Sequence, residues 1–273
     1  MFNWFKKKQA PAIAKENTKI EKKESLADYN KLIQSTIKPY IKIDAKPESD
    51  LPPWQSKFGG TPYMPEGVVW PQMSDGSDLH LLAQINFGEV PALDPFPQKG
   101  ILQFWLGVND LYGLDFSDPV RQDSFRLVYY PDLEKTGLQS SFGDKLKWDE
   151  SSPFEDDCPS LSLSFSKEEM PVNFDDFQAG ALLKDLPEAL VHDYNDSFDH
   201  TGHRIGGYAH FTQSDPRESK YEYSVKDILL LQIDSDDKNN ILWGDCGVAN
   251  FFISERKLKA LDFSKVLYNW DCC

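Results

Sequence analysis

The chain has 273 residues, 40% hydrophobic and 13% aromatic, which is enough apolar surface for one large core or two small ones and favours a β-rich interior. Its formal charge of −15 is uneven: residues 1–43 hold ten lysines against four acids, so the remainder stands at −21. Such a body repels phosphate backbones and attracts cations, which argues against nucleic acid as its partner and for a basic protein or peptide.

No run approaches the roughly 20 apolar residues that span a bilayer, and no signal-like apolar stretch opens the sequence. Four cysteines without a Cys-x-x-Cys pair fit a reducing compartment. A soluble cytoplasmic protein without stable membrane association is expected. Residues 1–22 read as a basic flexible tail, with too little apolar area to hold a membrane, and residues 23–273 as a single domain.

A helix is expected from Ser25, where Asp28 sits at the capping-box position and Leu26, Tyr29, Ile33 and Ile37 repeat at helical spacing until Pro39. Prolines and glycines between Leu51 and Met73 then forbid a helix, and Trp54, Phe58, Tyr63 and Trp70 are expected to lie as a cover over a sheet. Strands follow at Leu79–Phe87, Gly100–Val108, Phe125–Tyr130 and Leu161–Phe165, with the acidic triplet Glu155-Asp156-Asp157 in a solvated loop between the last two. The stripe Leu182, Leu183, Leu186, Leu190, Val191 and Tyr194 predicts a helix over Ala179–Tyr194, with Pro187 as a kink or new start. The stretch Ile228–Ile253 predicts three short strands, the second being Ile241-Leu242-Trp243. A short helix is expected after Ser254 and an irregular segment from Phe263 to Cys273.

One pattern occurs twice. Gly59 lies 41 residues before Gly100 and Gly206 lies 41 before Gly247, with Gln84 and Gln232 inside strands at offsets of 25 and 26. Equal spacing of Gly-Gly, strand glutamine and Gly-x-x-x-Phe predicts a duplicated architecture, with halves of about 51–130 and 200–273. The expected fold is α+β, mainly antiparallel β: two similar lobes with a few peripheral helices. Gln84 and Gln232 are expected in neighbouring interior strands, each amide partnered.

Constellations for chemistry are sparse. His200, His203 and His210 fall among glycines, in turns rather than on a helix, so no metal site is expected. Asp234-Ser235-Asp236-Asp237-Lys238-Asn239-Asn240, followed by Asp245, departs from a calcium loop because Lys238 stands at a ligand position and Asn239 where Gly is needed. A hairpin turn explains the same residues. No nucleophile elbow, phosphate loop or dinucleotide fingerprint is present, and no cofactor is expected. At Trp243-Gly244-Asp245-Cys246-Gly247, two glycines frame a tight corner in which Asp245 is expected to accept backbone N–H groups, so that its loss would cost about 1–3 kcal/mol.

The ordered set Ser56-Lys57-Phe58-Gly59-Gly60-Thr61-Pro62, Trp70-Pro71, Leu82-Ala83-Gln84-Ile85, Gly100-Ile101-Leu102-Gln103-Phe104, Leu231-Gln232-Ile233-Asp234 and Trp243-Gly244-Asp245-Cys246-Gly247 resembles the motif set of the YwqG-like bacterial family. That resemblance implies a mainly β, duplicated fold without an established activity. It also implies a more distant similarity to a domain of eukaryotic ribosome-assembly factors that chaperone a basic ribosomal protein. The resulting expectation is a non-enzymatic binding module, chaperone-like or immunity-type, with Trp70, Gln84, Gln232, Asp234, Trp243 and Asp245 as candidate binding residues. The alternative is a metal-dependent hydrolase acting on RNA, with Asp234, Asp236 and Asp245 as its carboxylates.

Overall fold

Ten strands form one sheet in the order β10-β9-β8-β7-β1-β6-β2-β3-β4-β5 in the computed structural model, which describes residues 25–146, 148, 152–154 and 160–273. The strands are β1 (Lys38–Pro47), β2 (Lys57–Phe58), β3 (Leu79–Asn86), β4 (Ile101–Gly107), β5 (Phe125–Tyr130), β6 (Leu161–Met170), β7 (His203–Gly206), β8 (Ile228–Asp234), β9 (Val248–Ile253) and β10 (Leu267–Asp271). Every pairing is antiparallel. The proposed tail at residues 1–22 and the triplet Glu155-Asp156-Asp157 lie outside the described residues.

Outward from the central pair β1–β6, the sheet reads β2-β3-β4-β5 on one side and β7-β8-β9-β10 on the other. Corresponding strands carry a register shift at the same place, between Leu81 and Ala83 in β3 and between Leu229 and Leu231 in β8. The sheet curls so that its inner faces share one core, where Phe104 and Phe125 of β4 and β5 meet Phe251 and Tyr268 of β9 and β10, with ring centroids 4.9 Å apart for Phe104 and Phe251. Rings of this size supply most of the buried apolar area, and edge contacts between them add to it. The loop before β5 ties the two ends together: Tyr268 N–H donates to Pro119 O, Tyr268 O–H to Tyr112 O, and Trp270 Nε1–H to Leu111 O.

Four strands depart from the sequence expectation: β1, the two-residue β2, β7, which carries His203 on a strand rather than in a turn, and β10. β1 follows directly on the first helix, and its alternation of exposed Lys42 and Asp44 with buried Ile41, Ile43 and Ala45 is the two-residue period of a half-buried strand. The helix ends at Ser35 with Thr36 as its C-cap, so Pro39 does not terminate it as expected but stands second in β1. Residues Leu267–Asp271, expected to be irregular, pair with β9 as β10. Conversely, Ile241-Leu242-Trp243 is not a strand: Ile241 makes single bridges to Phe154 and Asp236.

Helices are short and peripheral. The first predicted helix is a 3-10 turn over Leu26–Tyr29, capped by Ser25 and Asp28, running into α1 (Asn30–Ser35). The long helix expected over Ala179–Tyr194 is broken into α2 (Ala179–Leu182), a 3-10 turn at Glu188–Leu190 and α3 (Val191–Ser197). Pro187 is extended at φ −61 and ψ 138, which ends one helix and starts the next. Its apolar stripe nonetheless packs, with Ala179, Leu183, Leu186, Leu190 and Tyr194 in a satellite core against Met170 and Val172. α4 (Tyr221–Ser224) and α5 (Glu255–Lys259) flank β8 and β9, the latter beginning after Ser254 as expected.

Candidate functional site

A cleft of about 950 Å³ lies over the outer face of β1, where side chains from β6, β7 and the turns after β8 and before β9 converge. On β1 the outward residues are Tyr40, Lys42 and Asp44. Register sets Glu168 of β6 opposite Tyr40 and Arg204 of β7 opposite Lys42, and the Tyr40 hydroxyl donates to Glu168 Oε2 at 2.8 Å. Burial first, and then that bond, push the tyrosine up to about 12, while the same bond and one from Ser166 hold Glu168 below the usual carboxylate range.

Seven carboxylates line the cleft against three cationic side chains, Lys42, Arg204 and Lys238. Arg204 is buried: its Nη2 donates to Thr201 O, its Nη1 meets Met170 Sδ at 3.3 Å, and the guanidinium lies over the Tyr40 ring at 5.3 Å. Its Nε has no partner among the described residues. Burial draws its pKa down to about 10, opposed by Tyr40, Asp234, Asp199 and Glu168. The surrounding carboxylates thus compensate a guanidinium that the loop before β7 holds mostly out of solvent.

His203 and its neighbours form a second layer. The Asp234 N–H donates to His203 Nδ1 at 3.1 Å, so in the neutral ring the proton sits on Nε2, facing Asp236 Oδ2 at 3.4 Å. Asp236 also accepts from Asn239 Nδ2 and from Lys238 N. The His203 bond first, then the Asn239 bond, holds this carboxyl far below the ordinary value, so it is ionised throughout the physiological range. Asp234 is similarly engaged, accepting from Gly202 N at 2.6 Å and Ser235 N at 2.9 Å. These carboxylates hold two turns in place and present few free lone pairs.

The structure brings Asp234, Asp236 and Asp245 to one cleft, as the hydrolase alternative requires. Among the described residues, however, no group of three or more His, Cys, Asp and Glu is arranged to hold a metal ion. The His200 Nε2–H donates to Pro171 O at 3.0 Å, and burial lowers its pKa. The Ser235 hydroxyl is occupied by Gly247 O and Trp243 N.

Asp245 differs from expectation. It is exposed at the cleft rim and makes no hydrogen bond to another described residue. The corner is held by Gly247 N–H donating to Trp243 O at 2.8 Å and by Ser235, whose hydroxyl donates to Gly247 O and accepts from Trp243 N. Gly247 is required because a Cβ there would lie 2.0 Å from Asp271 O.

The other candidates are interior. Gln84 and Gln232 are fully buried and partnered, but not in neighbouring strands: β7, β1, β6 and β2 stand between β8 and β3. Gln84 accepts from Tyr63 N and from Gln103 Nε2 and donates to Pro53 and Gln55 carbonyls; Gln232 accepts from His210 N and donates to His200 and Gly202 carbonyls. Trp70 covers the outer face of the first half, edge-on to Trp105 at 5.0 Å with its Nε1–H on Leu79 O. Trp243 is completely buried against Tyr112 and Trp270. Of the six candidates, Asp245 alone presents an exposed side chain, with Asp234 at the cleft floor. Tyr40, Lys42, Asp44, Glu168 and Arg204 went unread; the alternation of β1 was the available signal.

Sheet, cleft and motif set define a single mainly β scaffold of the YwqG-like kind. The chain belongs to the family described as Domain of unknown function (DUF1963), whose model matches residues 56–272. No curated protein matches it. Nothing in these comparisons supports the more distant similarity to ribosome-assembly chaperone domains. No helix among the described residues is long and apolar enough to cross a membrane.

Proposed function

We propose that the protein is a non-enzymatic binding module whose acidic cleft takes a basic segment of a protein partner. The observation that carries this reading is the excess of carboxylates over cations in the cleft over β1, with Asp44, Glu168 and Asp245 exposed around it. Charge of this kind accelerates encounter and selects partners by sign. The engaged state of Asp234 and Asp236 weighs against hydrolysis, since neither carboxylate is free to act as a base or metal ligand.

The test is an anisotropy titration with a labelled lysine- and arginine-rich peptide. Binding should weaken steeply as salt rises, and replacing Asp44 and Asp245 together by Lys should abolish it. Salt-independent binding, or binding that survives the double replacement, would remove the cleft from the proposal. Labelled RNA with a divalent metal should remain intact; cleavage lost on Asp236→Asn would favour the hydrolase instead. We also infer that the matching strand order and glutamine networks of the two halves derive from an internal duplication.

A further inference from the structure

A second concavity, of about 570 Å³, lies at the other end of the same strands, where α4, the start of α5 and the loop at Ser117–Val120 meet. Asp234 at the end of β8 borders the acidic cleft, whereas Lys226 precedes the first residue of that strand, a strand length of roughly 20 Å away. The charge there is reversed. Five cationic residues line this pocket against two carboxylates, Asp118 and Glu222, in a chain whose net charge is −15.

Lys226 is the informative member. Its residue is 8% exposed, and its Nζ donates to Lys265 O at 2.8 Å. Among the described residues no carboxylate pairs with it. Lys257 is neutralised by Asp262 at 2.6 Å, but Lys265 and Arg256 at the pocket mouth have no such partner among the described residues. An ammonium removed from water is costly unless an anion or several acceptors replace its hydration. Burial first, then the charges of Lys257 and Lys265, depress the Lys226 pKa, which is the direction expected of a cation without a counter-ion. Two valines, Val120 and the 48% exposed Val225, add an apolar wall.

We infer that this pocket binds a small organic oxyanion, a phosphate or carboxylate group reaching Lys226 while its apolar body rests on Val120 and Val225. The volume is that of a small-molecule site rather than of a bare ion. Lys226 supplies a fixed, desolvated donor, and Lys265 and Arg256 close over the anion from solvent. Lys226 is screened from bulk water, so its contribution should exceed that of either exposed residue.

The experiment is calorimetric titration of the full chain with inorganic phosphate and, in a parallel arm, with acetate, at ionic strength held constant with sodium chloride. Saturable one-site binding of either anion is expected, the stronger arm naming the headgroup. Lys226→Met should abolish it and Lys265→Ala weaken it severalfold; the second variant changes an exposed residue, so it remains informative if the first fails to fold. Binding of neither anion, or binding unchanged in Lys265→Ala and in any folded Lys226→Met protein, would overturn the assignment.

Discussion

The two arms of the sheet place a cation at the same point and treat it differently. Lys57 of β2 stands opposite Gln84 of β3, and Arg204 of β7 stands opposite Gln232 of β8. Around Lys57 the proline-rich segment folds down, so the amine donates to Pro52 O at 2.8 Å, Pro53 O at 3.4 Å and Thr61 O at 3.0 Å. Around Arg204 the residues before β7 supply only Thr201 O, and the guanidinium reaches a cleft of acids. One frame is sealed by its own backbone; the other, equally buried, borders the acidic cleft. Pro52 and Pro53 supply two of the three carbonyls around Lys57 and, lacking N–H groups, leave no donor of their own to be satisfied there.

The glutamines test the frame itself and should give the largest effect. Gln84→Leu would orphan the Tyr63 N–H, two carbonyls and one donor of Gln103, and should cost about 3–5 kcal/mol. Gln232→Leu should cost about 1 kcal/mol less, since Asn250 bonds His210 O rather than the glutamine. Urea midpoints at constant m-value measure both. Equal losses would mean that the first arm is not the more tightly closed.

The cations sharpen the contrast. Lys57→Met leaves three inward carbonyls without a donor and should cost about 2–3 kcal/mol, whereas Arg204→Met, at a site already lacking one partner, should stay within about 1 kcal/mol. The corner at the cleft rim comes next. Ser235→Ala should lose about 1–2 kcal/mol and Asp245→Ala less than about 0.5, because the serine holds the turn and the aspartate does not. A thermal melt in which Asp245→Ala is the more damaging would restore the structural role that its sequence position implied.

A further contrast is in pH. Burial draws the Lys57 amine down to about 8 from an ordinary 10.5. Below the lower value the folded protein bears the full cost of a buried charge; as pH rises toward the upper value that cost fades, so this residue makes stability increase. Between pH 8 and 10 wild type should gain about 2 kcal/mol relative to Lys57→Met. A flat difference across that range would show that the three carbonyls hold the proton fully in place.

Strands β3, β4, β8 and β9 were legible from apolar runs long enough for a buried strand, and β5 and the first half of β6 from their alternation. β10 was not, since Tyr268, Asn269 and Trp270 show no such run and become a strand only by pairing with β9. The acids of the cleft that sit in turns, Asp234 and Asp245, stood out locally. Tyr40, Glu168 and Arg204 did not, because only the long-range register of β1 with β6 and β7 makes them neighbours. The spacing of Gly59, Gly100, Gly206 and Gly247 was readable in sequence, while the single shared core was not.

The central pair has a consequence for how the chain can be divided. β1, which comes first in sequence, supports β7 and the arm beyond it, while β6, which comes later, supports β2 and the opposite arm. Each arm therefore leans on a strand from the other half, as in two hands clasped across the midline. A chain cut between Leu146 and Ser160 should give two fragments that each expose an unpaired strand edge and remain unfolded alone. Mixed together they should reconstitute the native spectrum, and either fragment folding by itself would show that the crossing is dispensable.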